Sequence, residues 1–183
     1  VLKRTTSHRN GTSITPGGSL SLAGEQDAVD ANYAENQSHQ GDFTEVIIFN
    51  QVINSAERII IQNYLTAKYG LILNSAVDFY TQDNIVNGNF DFNVAGIGQA
   101  GDGSNHTDSR GTGIVRINTP SALSNNEYLF WGEETKDQTY ALVTETTTYT
   151  KQLNSKWRVS KVGDLGSVSV SFDISSIASA ITC

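Results

Sequence analysis

The chain has 183 residues and a formal net charge of −7, with 38% apolar and only 17% charged residues. Ser, Thr and Asn supply 53 positions and Gly another 16, the usage of strands joined by many turns rather than of a disordered tail. No run of about 18 apolar residues exists, so no membrane span is expected. Twelve basic against 19 acidic residues argue against nucleic acid as a partner, and a lone cysteine, Cys183, excludes an internal disulfide.

The sequence holds no Met, and no charged start followed by an apolar core, so it reads as an excerpt of a longer protein. Other domains of the same chain are then its neighbours, and its localisation signals lie elsewhere. In chain order, Glu25, Asp27 and Asp30 form an acidic loop, followed by Tyr33 in the loop 30–35. Glu45-Val46-Ile47-Ile48-Phe49 is apolar on both alternating faces, as a central, covered strand is. Asn54-Ser55-Ala56-Glu57 is a capping box. Ile60, Tyr64 and Ala67 then line one face, with Ile61, Leu65 and Lys68 beside it, and Gly70 supplies the stop. The spacing predicts a helix over 55–69, whose stripe of Ile60, Ile61, Tyr64 and Leu65 packs on a sheet that includes Val46–Phe49.

Residues 71–88 are irregular, and a boundary near 71–75 separates the units 1–71 and 72–183. Strand patterns follow. Phe90, Phe92 and Val94 alternate with polar or small residues, then come 113–118, 127–131, the Thr-rich 139–150 as an exposed strand or hairpin, and 156–160. Val168, Val170, Phe172 and Ile174 alternate with Ser and Asp as a half-buried strand does. The fold class expected is all-β: a jelly-roll or β-sandwich fragment with one amphipathic helix, followed by a second β-sandwich-like module.

Gly41-Asp42-Phe43-Thr44-Glu45-Val46-Ile47-Ile48-Phe49, Ser55-Ala56-Glu57-Arg58 and Tyr64-Leu65-Thr66-Ala67-Lys68-Tyr69-Gly70 resemble the closing strand and helix of bacterial laminin-G-like, concanavalin A-like lectin domains, a likeness spanning about 17–71. Phe49 and Thr66 stand where Tyr and Ala are common there. Val94–Gly98, Tyr128–Gly132, Lys156–Val159 and Gly163–Ser175 resemble an uncharacterised β-rich module that follows such domains in large secreted bacterial surface proteins. The resemblance implies a non-catalytic adhesion or carbohydrate-binding region, secreted or displayed at the cell surface, with a glycan or another surface protein as partner. A structural spacer is the alternative, as is an accessory region of a polysaccharide-degrading enzyme with its catalytic domain elsewhere.

Gly96-Ile97-Gly98-Gln99-Ala100-Gly101 fits a dinucleotide fingerprint, but no helix pattern follows, so it reads as a glycine-rich turn at a strand end. Asp102, Asn105 and Asp108 place three oxygen ligands within seven residues, and calcium is the cofactor such a set would take. The loop of Glu25, Asp27 and Asp30 is a second calcium candidate. His8, His39 and His106 share no ligand spacing. No carboxylate pair suits glycosidase chemistry: Asp42 and Glu45 fall on opposite faces of a strand, and Glu133-Glu134 reads as a turn. No G-x-S-x-G elbow occurs, so no intrinsic enzyme activity is expected. Trp131 and Trp157 belong to strand patterns and read as core. Tyr33 is the exposed aromatic expected to meet a sugar.

Overall fold

The computed structural model describes residues 41–134, 139–144 and 151–177. Contacts divide the chain into two units that part between Gln51 and Val52. In the first, the described residues 41–51 contain no strand, and Val46, Ile47, Ile48 and Phe49 are exposed. The covered strand expected there is absent. An apolar run makes burial favourable, but a strand also needs an adjacent edge to pair its N–H and C=O groups.

The second unit opens with α1, Ser55–Tyr69. The capping box forms as expected: Asn54 Oδ1 accepts from Glu57 N at 2.9 Å, and Glu57 Oε2 accepts from Asn54 N at 2.8 Å. At the other end Gly70 adopts φ 59°, a left-handed conformation that glycine takes without steric cost. Leu71 N reaches Thr66 O at 3.0 Å, and Gly70 N reaches Ala67 O at 3.5 Å, the paired bonds of a Schellman stop.

The inner face of α1 is Ala56, Ile60, Asn63 and Ala67, at steps of four, three and four, with Thr66 beside it. Ile61 and Leu65, expected in the stripe, are only half-buried, and Tyr64 packs at the core margin. The face rests on a sheet of the downstream module, and the run Val46–Phe49, expected to belong to the sheet under the helix, forms no strand. The boundary expected near residue 71 therefore falls inside one unit, and the helix belongs with the β-rich module.

That module is all-β and sandwich-like, with antiparallel pairing throughout. β1 (Phe92–Gln99), β2 (Asn105–His106), β5 (Glu127–Glu133) and β8 (Trp157–Val162) form a sheet in the order β2-β1-β5-β8. β3 (Asp108–Ser109), β4 (Val115–Asn118) and β9 (Ser169–Phe172) form a second sheet, ordered β3-β4-β9. β6 (Leu142–Val143) and β7 (Gln152–Leu153) pair as a small ribbon. The Thr-rich hairpin expected over 139–150 is represented by β6, and residues 145–150 lie outside the described residues.

Central strands β1 and β5 are apolar on both faces because both faces are covered. On one side Val94, Ala100, Tyr128 and Phe130 meet Ala56, Ile60 and Ala67 of α1. On the other, Ala95, Ile97, Leu129 and Trp131 meet Ile114, Val115, Ile117 and Leu165. Gly96 and Gly98 lie inside β1, so the expected turn is a strand. A Cβ on Gly98 would sit 2.2 Å from the Tyr128 ring and 2.6 Å from Glu127 O, and one on Gly96 would sit 2.7 Å from the Phe130 ring. The glycines clear the space in which these rings lie.

β9 departs from the half-buried strand expected over 168–174. Val170 and Phe172 oppose Ile117 and Val115 across the ladder and share their inner face. β9 is the outer strand of its sheet, however, and at that margin both side chains remain exposed. Glu133, expected in a turn, instead ends β5 and is fully buried.

Two outcomes follow from this packing. Gly98→Ala must displace the Tyr128 ring or the Glu127 backbone, and should cost about 1–3 kcal/mol of stability in urea denaturation. A chain trimmed to 72–183 loses the cover over Tyr128 and Phe130 and should unfold without a cooperative transition, whereas 52–183 should retain one. A cooperative 72–183 would show that α1 is not part of this core.

Candidate functional site

The sequence-predicted ligands Asp102, Asn105 and Asp108 sit on or near the hairpin between β1 and β3, close to the start of α1. Each is engaged by protein donors or acceptors. Asp102 Oδ1 accepts from Ser104 N at 3.0 Å and Ser104 Oγ at 2.6 Å, while Oδ2 accepts from Ser55 Oγ at 2.7 Å. Hydrogen bonds from Ser104 first and Ser55 second hold the Asp102 carboxyl down at about 2. The Asn105 carbonyl accepts from Asn54 Nδ2 at 3.0 Å. Asp108 faces Arg116 as a fork, with Nε to Oδ1 at 2.7 Å and Nη2 on Oδ2, and the bond from Arg116 holds its carboxyl below the usual range. His106 Nδ1 lies 3.7 Å from Glu57 Oε1. The hairpin thus grips the N-terminal turn of α1, where a carboxylate complements the helix dipole. Among the described residues, no group of three or more His, Cys, Asp and Glu side chains could hold a metal ion.

Tyr33, the acidic set Glu25, Asp27 and Asp30, His8, His39 and Cys183 lie outside the described residues. Trp131 is buried as expected. Trp157 is only half-buried: it stacks on Tyr140 with centroids 6.1 Å apart and meets Phe172 edge-on at 5.7 Å.

A pocket of about 320 Å³ opens where the C-terminal end of α1 passes the start of β1. Tyr64, Lys68 and Tyr69 come from the helix, Asp91, Phe92 and Asn93 from the chain entering β1, and Thr112 from the turn before β4. Three aromatic residues thus share the lining with an ammonium, a carboxyl, an amide and a hydroxyl. The Lys68 ammonium donates to Tyr64 OH at 2.8 Å and lies 5.2 and 5.4 Å from the Tyr64 and Tyr69 ring centres.

The pairing register of β1 with β5 shifts between Phe92 and Ala95, and Asn93 takes φ 51° within that irregularity. Its amide bridges two elements. Thr112 Oγ1 donates to Asn93 Oδ1 at 2.6 Å, and Asn93 Nδ2 donates to Glu133 Oε2 at 2.7 Å. None of these residues has a diagnostic sequence spacing. The one local signal was Asn93, a turn-prone residue inside an otherwise strand-like run.

Asp91 belongs to an acidic group. Burial raises the Asp91 carboxyl above its ordinary value, against a lowering bond from Asn89, and its Oδ1 is buried without a hydrogen-bond partner. Burial first, then the charge of Asp78, raises Asp83, and Asp78 is itself raised by burial. Burial, with Asp83 and Asp91 nearby, also pushes the Tyr80 phenol far up. It stays protonated and donates to Phe90 O at 2.5 Å.

The signs give a pH dependence. Asp78, Asp83 and Asp91 carry raised carboxyls, so the native state takes up their protons more readily than the unfolded chain, and stability rises as pH falls through their folded values toward 3.8. Asp102, Asp108 and Asp173 carry lowered carboxyls, so their stabilisation is lost only as pH falls below 3.8. The urea midpoint should therefore be higher in the mildly acidic range than at pH 7 and drop steeply below 3.8. Asp83→Asn should flatten the rise, and a midpoint that falls steadily from pH 7 would contradict it.

No helix among the described residues is long and apolar enough to cross a membrane. No curated protein and no solved structure matches the chain. A family model described as a domain of unknown function, DUF8202, matches residues 57–182, beginning in the first turn of α1 and running through the whole β-rich module; the chain belongs to that family.

Proposed function

We propose that this chain is a non-catalytic carbohydrate-binding region of a secreted or cell-surface protein, and that it holds a sugar in the pocket at the C-terminal end of α1. The observation that carries this reading is the lining. A pyranose has an apolar C–H face and a rim of hydroxyls. The pocket combines Tyr64, Tyr69 and Phe92 with Lys68, Asp91, Asn93 and Thr112, aromatic surface together with a few polar groups. Its volume of about 320 Å³ lies near the lower end of the usual small-molecule range of about 300–1,000 Å³, a size for one sugar residue. The resemblance of about residues 17–71 to the end of laminin-G-like domains supports display outside the cell. Adhesion to glycan-bearing surfaces is the biological use such a site would have.

A glycan array probed with the full chain, followed by calorimetry on the best ligand, tests the reading. Tyr69→Ala and Asp91→Ala should each lower affinity at least tenfold, about 1.4 kcal/mol, while Lys161→Ala, an exposed position toward the other end of the β5–β8 ladder, should leave it unchanged. Absence of any bound glycan, or equal binding by the two pocket variants, would favour the spacer reading instead.

A further inference from the structure

We infer that the pocket selects ligands that donate hydrogen bonds to its Asp91–Thr112 side, because the buried Glu133 orients the polar relay behind it. The inference rests on the carbohydrate reading of the same pocket and specifies how the sugar is recognised.

Glu133 is fully buried at the end of β5. Asn93 Nδ2 at 2.7 Å and Tyr140 OH at 2.9 Å donate to its Oε2, and Ser155 Oγ donates to its Oε1. A carboxylate only accepts, so Asn93 must turn its NH₂ toward Glu133. That turns Oδ1 the opposite way, onto Thr112 Oγ1 at 2.6 Å. An amide oxygen also only accepts, so the single hydroxyl proton of Thr112 goes to Asn93. Thr112 is left with lone pairs alone to offer a ligand. Asp91 also lines the pocket, and its buried Oδ1, which has no hydrogen-bond partner, leaves a further acceptor unmet in that region. The backbone holds this arrangement, since Glu133 pairs with Phe92 in the ladder and Asn93 follows at φ 51°. A ligand hydroxyl there must act as donor. A fluorine or methoxy group in its place would set lone pair against lone pair, at the cost of an unmade hydrogen bond.

The test has two arms, both on the full chain at pH 7. The first needs no ligand. In ¹⁵N-resolved spectra, an Asn93 Nδ2 proton should be protected from solvent exchange in the wild type and lose that protection in Glu133→Gln, whose amide can donate back and reverse the relay. Absence of protection in the wild type would overturn the inference.

The second arm titrates methyl pyranosides and their monodeoxy and deoxyfluoro analogues. At one hydroxyl or more the fluoro analogue should bind at least tenfold more weakly than the parent and no better than the deoxy analogue. The parent-to-fluoro ratio should fall toward one in Glu133→Gln and in Thr112→Val, the latter an exposed position that keeps the test open if Glu133→Gln fails to fold. A purely structural role for Glu133 would weaken all analogues alike and leave the ratio unmoved. Fluoro analogues that bind as well as their parents at every position would overturn the proposal. If no pyranoside binds, the carbohydrate reading fails by itself. Donor selection is then read from acetamide, which should shift the Thr112 and Asp91 resonances, against dimethylacetamide, which should not; equal shifts would overturn it.

Discussion

Two aromatic rings lying over two glycines set the geometry of the module. Tyr128 and Phe130 of β5 stack with centroids 5.9 Å apart and fill the space above Gly98 and Gly96 of β1. Phe79 stacks on Tyr128 at 4.9 Å, and Tyr80 approaches Phe130 at 6.2 Å. The rings form the floor on which Ala56, Ile60 and Ala67 of α1 rest. Because Tyr128 and Phe130 point that way, Leu129 and Trp131 point to the second sheet. One pleated strand thereby serves two cores, and the helix, the central sheet and the three-stranded sheet follow as layers.

Two buried polar side chains lock those layers. Asn63, on the inner face of α1, uses all four of its main hydrogen-bonding capacities: Nδ2 donates to Ile59 O at 2.9 Å and Val77 O at 2.8 Å, and Oδ1 accepts from Phe79 N and Tyr80 N, both at 2.9 Å. It thereby satisfies backbone groups of the irregular segment 77–80 and brings Phe79 and Tyr80 onto the aromatic floor. Glu133 does the same between β1, β5 and the chain around β6 and β7, through Asn93, Tyr140 and Ser155. Burying either group unpaired would cost more than an apolar residue in its place, and the complete sets of partners offset that cost.

Charge is distributed by the same logic. At the N-terminal turn of α1 the hairpin places Asp102 against the helix dipole, and Ser55, Ser104 and Asn54 complete the contact. Near the other end, Asp78, Asp83 and Asp91 share a partly desolvated region, and burial outweighs the donors that reach Asp83 and Asp91 and raises their carboxyls. The pocket lies by this second, less satisfied end. Binding sites are commonly found where polar groups are left short of partners, since a ligand can supply what the fold does not.

The helix was legible from neighbouring residues alone. The helix 55–69, its capping box and its glycine stop need only residues a few positions apart, and the period-two alternation of 90–94 and 168–174 marks strands that the structure has as β1 and β9. Tertiary structure decided what those elements meet. The run Val46–Phe49 shows the apolar pattern of a covered strand and yet stays exposed, because pairing needs a neighbour that local pattern does not encode. Gly96 and Gly98 look like a turn until the rings of Tyr128 and Phe130 are placed over them. Asp102, Asn105 and Asp108 are close in sequence, as ligands would be, but Ser55, Asn54 and Arg116 reach them from other elements. Asp91, Asn93, Thr112 and Tyr69 are scattered along the chain and converge only where the end of a helix passes the start of a strand. Spacing along the chain fixes hydrogen bonds between near neighbours, whereas a site built from distant segments exists only after the layers have packed.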